Sequence, residues 1–321
     1  MQQAATPDTA SQPRRIFVAG GTGVLGRRAV SALVAAGYRP TVLSRSTEKD
    51  ALLRESGATP VRVDLFDQSS VRRGIAGHDT VINLATNIPP AAKAFARQAW
   101  VNNDHIRTEG SKNLAEAASA EGVSRFVQES ITFPYRDSGH QWIDEATPLA
   151  PSWNTQSALQ AEANAQQLAE RGITVVVLRF AALYAREASH TRFSIDYASK
   201  GNAPLLGNPN GYYTMIHADD AAKAVIAALG TPTGIYNVAE TEPLIRAELL
   251  DIMARAVGRA RLRRMPNWLA KLIGGEAAGI IMRSQRVSNA ALRSVSHWQP
   301  KFASARTGWS TVLDGAGDGA R

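Results

Sequence analysis

Gly20-Gly21-Thr22-Gly23-Val24-Leu25-Gly26 has the residue types and spacing of a loop that lets a backbone approach an anion. The apolar run Ile16-Phe17-Val18-Ala19 leads into it, and the helical periodicity of Val24, Leu25, Ala29, Leu33 and Val34 begins inside it, which predicts strand, tight turn and helix. Side chains here would block the backbone from a pyrophosphate, and positive φ is cheap only for glycine. The free N–H groups at the helix start then face the anion. Gly37 closes the helix and Thr41-Val42-Leu43-Ser44 supplies the next strand, so the unit has the order of a βαβ dinucleotide fingerprint. The competing reading is a merely tight turn.

A chain that binds NAD commonly places Asp or Glu after the second strand, where it accepts hydrogen bonds from the adenosine ribose. Ser44-Arg45-Ser46 stands there instead. A guanidinium grips a 2′-phosphate in fork geometry, whereas an acid would repel it, so the expected cofactor is NADP(H), with NAD(H) second. The alternative is that Arg45 is an ordinary loop residue, with Glu48 or Asp50 available nearby.

Further segments carry a resemblance. Val61-Arg62-Val63-Asp64-Leu65, Val81-Ile82-Asn83-Leu84-Ala85, Asn102-Asn103 with residues 110–118, Ile216-His217-Ala218-Asp219-Asp220 and Gly234-Ile235-Tyr236-Asn237-Val238 together span nearly the whole chain. They resemble the extended and atypical short-chain dehydrogenases/reductases, of the NAD-dependent epimerase/dehydratase type. The resemblance implies Asp64 near the adenine amino group, Leu65 beside it, and Leu84 and Ala85 flanking the cofactor.

The resemblance breaks where catalysis belongs. Related chains carry Ser or Thr after the fifth strand, then Tyr and Lys one helical turn apart. Here Ile131 takes the hydroxyl position, with Ser130 and Thr132 on either side, Asn154 takes the Tyr position and Ala158 the Lys position. Residues 148–171 contain no Tyr or Lys at all, so no small shift of alignment restores the pair. The Tyr shuttles a proton to the substrate oxygen and the Lys lowers its pKa while bonding the nicotinamide ribose. Asn exchanges no proton near neutral pH, and Ala carries no charge.

Replacement proton donors are therefore sought among Glu129, Tyr135, Ser130 and Thr132, near the end of the fifth strand. A desolvated Glu129 would have a raised pKa suited to acid–base work; alternatively it pairs with one of the chain's many arginines. Tyr184, Tyr212 and Tyr213 are each expected to fill structural places, as is His217. Asp219 and Asp220 are expected to begin a helix, where acids suit the N-terminal dipole. The six His and zero Cys show no metal-ligand spacing, so no metal is expected.

These segments predict an α/β chain: a Rossmann-type doubly wound parallel sheet with a smaller C-terminal substrate-binding lobe. The expected organisation is a disordered leader (1–13), an NADP-binding domain (14–180), a mainly substrate-binding lobe (181–314) interleaved with the sheet near 215–240, and a flexible tail (315–321). No signal peptide is recognised in the leader and no apolar run approaches ~20 residues, so a cytoplasmic protein without a membrane partner is expected. The net charge of +8 includes a cluster at Arg255, Arg259, Arg261, Arg263 and Arg264. No nucleic-acid motif accompanies it, so the charge is assigned to solvated surface and nucleic acid is not expected as a partner. Neighbouring Trp268, Leu269, Leu272 and Ile273 suggest an apolar lobe that covers a hydrophobic substrate or packs a partner. A homodimer through helices near 100–118 and 157–169 would be usual for such relatives.

The leading expectation is an atypical NADP(H)-binding enzyme acting on a small hydrophobic molecule, by hydride transfer or by redox-neutral isomerisation, dehydration or cyclisation. The alternative is a non-catalytic NADP(H)-binding redox sensor. An inactive scaffold without cofactor is third, and the intact glycines argue against it.

Overall fold

The computed structural model describes residues 14–313; the predicted leader and tail lie outside them. Seven strands form one parallel sheet: β1 (Ile16–Ala19), β2 (Thr41–Ser44), β3 (Thr59–Arg62), β4 (Thr80–Asn83), β5 (Arg125–Ile131), β6 (Thr174–Phe180) and β7 (Gly234–Val238). Their spatial order is β3-β2-β1-β4-β5-β6-β7. The order reverses between β1 and β4, and at such a switch point a crevice opens beyond the carboxyl ends of the strands.

Helices cover both faces, which explains why the central strands are continuously apolar. On one face α1 (Val24–Ala35) packs against α6 (Ala218–Ala227), burying Ala29, Val30 and Leu33 with Ala221, Ala224 and Val225. On the other, α3 (Gln68–Ile75), α4 (Ser111–Ala120) and α5 (Gln156–Gln166) bury Val71, Ile75, Leu114, Ala118 and Ala165 over Phe17, Val81 and Phe126. The remaining Rossmann-unit helix, α2 (Thr47–Glu55), follows β2 and starts at the Ser46 N-cap, whose Oγ accepts from Lys49 N at 3.4 Å. The helix entering α4 runs through a π-helical turn, Ile106–Gly110.

The later segments build a third cluster around Tyr184, Met215, Leu249, Met253 and Trp309. Gly234–Val238 leaves this lobe and pairs with β6, extending the sheet. The helix Asn267–Ile281 is bent at Gly275 and leaves Trp268, Leu272 and Ile273 exposed. No helix among the described residues is long and apolar enough to cross a membrane.

Candidate cofactor cleft and active site

The glycine loop leaves β1 at Gly20, whose φ of +80° lies in the left-handed region. A Cβ there would collide with the Leu84 carbonyl at the end of β4, and one on Gly26 would collide with the Gly20 carbonyl oxygen. The loop is closed by the Gly23 N–H donating to Gly20 O at 3.1 Å. Gly23 caps α1 without a side-chain acceptor, so the N–H groups of the first helical turn, at Val24 and Leu25, have no side-chain cap. That is a cradle only glycines allow, with donors free for a pyrophosphate. Gly21 is buried against Val42, while Gly23 and the half-buried Thr22 line the outer side of the loop.

The residues expected on the adenine side follow β3. Asp64 is exposed and its Oδ1 accepts from Phe66 N at 2.9 Å, while Leu65 packs on Gly110 and its carbonyl accepts from Asn113 Nδ2 at 3.0 Å. Exposed Phe66 stacks on His105, ring centroids 4.1 Å apart. Leu84 is buried, and Ala85 N donates to Asn83 Oδ1 at 3.1 Å, which fixes the backbone where β4 meets the loop. Arg45 stands exposed directly after β2.

Where Tyr and Lys would stand, Asn154 and Ala158 are both buried. Asn154 Oδ1 accepts from Ser152 Oγ at 2.5 Å. Neither residue has a side chain that titrates near neutral pH.

The sequence-nominated donors lie in two buried networks. Glu129 is paired with Arg107 from the π-helical turn: Arg107 Nη2 donates to both carboxylate oxygens, at 2.6 and 2.9 Å. Burial pushes the Glu129 carboxyl up, and the adjacent guanidinium opposes that push. Arg107 Nε and Nη1 are buried without a hydrogen-bond partner. In the second network Ser130 Oγ donates to Glu162 at 2.5 Å, and Glu162 binds Arg179 through two bonds. Arg179 Nη1 donates to the Tyr135 hydroxyl at 2.9 Å, and that hydroxyl donates to Asn237 Oδ1 at 2.9 Å. Tyr135 is fully buried, its pKa raised chiefly by burial. Thr132 is buried, its backbone N–H bonded to Phe180 O and its carbonyl to Gln285.

These placements define roles. Tyr135 cross-links β5's exit, β6 and β7; Ser130 anchors α5; and Glu129 has an arginine partner. Sequence reasoning did not find Arg107, Glu162, Arg179 or Glu145, whose carboxylate accepts from Asn237 N at 2.7 Å. Arg179 carried a visible signal, a guanidinium inside the apolar run Thr174–Phe180.

The other candidates are structural. Tyr184 donates to Glu240 at 2.7 Å, and Arg246 lies 5.4 Å over the Tyr213 ring. Arg286 lies 4.9 Å over the Tyr212 ring. His217 Nδ1 accepts from Asp219 N at 3.2 Å, capping α6, while its ring packs against Tyr184 and Phe302. Asp219 and Asp220 occupy the first turn of α6. Among the described residues no group of three or more His, Asp or Glu is placed to hold a metal.

Fold and cradle together define a dinucleotide-binding α/β protein of the short-chain dehydrogenase/reductase kind. The model of the NAD dependent epimerase/dehydratase family matches residues 16–239, and the chain belongs to that family. It is 31% identical over 313 residues to a 3-diazoavenalumate denitrifying reductase from a Streptomyces species, covering 92% of this chain and 98% of that one. Among solved structures, a human epimerase family protein with NADPH superposes with a TM-score of 0.78 at 19% identity, covering 94% of this chain and 99% of that one. The UDP-glucose 4-epimerase of Thermus thermophilus with NAD superposes with a TM-score of 0.73 at 23% identity, covering 95% and 100%. At these identities the structural likenesses speak for the fold alone. One of these two structures holds NADPH and the other NAD.

Proposed function

We propose that this chain is an NADPH-dependent reductase that reduces an electrophilic carbon whose leaving group departs without protonation, with aromatic diazo compounds as the leading substrate class. The observation that carries the reading is the pairing of an intact glycine cradle with a stretch, residues 148–171, that contains no Tyr or Lys, where the resemblance puts Asn154 and Ala158 at the two proton-handling positions. A carbonyl reductase without a proton donor would build up an unprotonated alkoxide, which is costly in a desolvated site. When bound, NADPH supplies hydride; toward an arenediazonium the hydride pair forms the new C–H bond while the C–N bond breaks and N2 leaves with its electron pair, so no proton is needed. The similarity to a denitrifying reductase over almost its full length supports the same class.

The chain's own residues are consistent with this division of labour. Gly20, Gly21, Gly23 and Gly26 would hold the pyrophosphate and Arg45 the 2′-phosphate. Asp64, Leu65, Leu84 and Ala85 would border the adenosine and the crevice. Trp100 and Trp153 meet edge to face, 6.3 Å between centroids, and Trp153 immediately precedes Asn154, so this pair would supply an aromatic surface for a flat hydrophobic substrate.

The test is to mix the protein with NADPH and an arenediazonium carboxylate and to follow cofactor oxidation together with N2 release. One N2 per NADPH is expected. Turnover of ketones in place of the diazonium would contradict the proposal. Tight NADPH binding with no turnover of any electrophile, and with different affinities for the two oxidation states, would favour the redox-sensor reading instead.

A further inference from the structure

We propose that Arg62, on β3, is a second arm of the 2′-phosphate site and acts with Arg45 to select NADPH. The proposal rests on the NADPH reading above and deepens it.

Strands β2 and β3 pair in parallel with Ser44 opposite Arg62. The Arg62 guanidinium reaches across to the end of β2: Nη1 donates to Ser44 Oγ at 3.4 Å and Nη2 to Asp50 Oδ2 at 2.7 Å. Ser44 immediately precedes Arg45, which is exposed and has no hydrogen bond or ion pair among the described residues. The Arg62 guanidinium thus reaches the residue that immediately precedes Arg45, at the position where an NAD-type site keeps a carboxylate.

Arg62 has donors to spare. A guanidinium carries five N–H groups and two are used, which leaves three for an incoming anion. Its side chain is 48% exposed, so a ligand can reach it. Asp50, only 13% exposed, anchors Arg62 from α2 and pre-orients the fork. The local charges are Arg45, Lys49 and Arg62 against Glu48 and Asp50, the two acids lying in the first turn of α2. The balance is positive, and a phosphate dianion bridging Arg45 and Arg62 would complete it. Fork-shaped donors suit phosphate oxygens better than lysine's point charge.

The experiment measures the binding of 2′,5′-ADP, 5′-AMP, NADPH and NADH to the full chain and to R45A, R62A, R62Q and R62K. Arg62 is half exposed at the sheet edge, so the variants should fold, which circular dichroism checks. R62A and R62Q are expected to weaken 2′,5′-ADP and NADPH about tenfold, as for a lost hydrogen bond to a charged group, while leaving 5′-AMP and NADH within about twofold. R62K, keeping charge but losing the fork, should fall between. Equal weakening of all four ligands would mark Arg62 as merely structural and overturn the proposal. Loss of 2′-phosphate preference in R45A but not in R62A or R62Q would overturn it too, leaving the NADPH reading intact. Wild-type protein binding 2′,5′-ADP no tighter than 5′-AMP would overturn that reading itself, and this proposal with it.

Discussion

The Glu162 carboxylate on α5 grips the Arg179 guanidinium on β6 through two parallel bonds, Nε to Oε1 at 2.8 Å and Nη2 to Oε2 at 2.6 Å, with both side chains about 5% exposed. Glu162 lies one helical turn beyond Ala158, so an ion pair locks this helix to the sheet. Removing one partner of a buried pair strands the other. E162A is expected to cost about 3–5 kcal/mol in urea unfolding, with E162Q milder because one oxygen still accepts. A loss below about 1 kcal/mol for E162A would show the pair to be solvated.

Tyr135 separates structure from chemistry. Its hydroxyl bridges Arg179 and Asn237, so Y135F should lose roughly 1–3 kcal/mol of stability by leaving both partners short of a bond. Its turnover of the diazonium should stay within about threefold of wild type. A proton donor would instead show a drop of about 10²–10⁴ in kcat.

A buried acid in the lobe gives the fold a pH signature. Burial raises the Glu240 carboxyl from 4.5 to about 8, against the lowering effect of the Tyr184 hydroxyl that donates to it. The folded chain therefore holds this proton more tightly than the unfolded chain. Glu240 costs nothing below about pH 4.5, and it erodes stability as pH rises from there to about 8, by at most ~1.4 kcal/mol per pH unit. E240Q, which stays neutral, should match or trail wild type at pH 4.5 and overtake it at pH 8.5 in thermal unfolding. A difference in Tm that does not change with pH would contradict this assignment.

The parallel-sheet strands and the cofactor loop were legible because local rules govern them. Continuous apolar runs mark strands buried on both faces, and Gly20 and Gly26 stand where backbone crowding admits no side chain. That residues 148–171 contain no Tyr or Lys needs no coordinates to be seen. The partners of Glu129 and Tyr135 were not legible, since Arg107 lies 22 positions before its acid and Arg179 lies 44 beyond the tyrosine. Sequence reveals that a buried carboxylate needs a cation, but the fold chooses which. The Arg62 arm was hidden likewise, because its reach toward Ser44 depends on the register between β2 and β3.

The most direct measurement is the origin of the hydrogen that replaces the departing group. With NADPH deuterated at nicotinamide C4 in ordinary water, and separately with unlabelled NADPH in heavy water, mass and NMR analysis of the product should find deuterium at the vacated carbon in the first case and none in the second. Deuterium drawn from the solvent, or product formed without cofactor oxidation, would contradict a reductase that works without proton transfer from the protein.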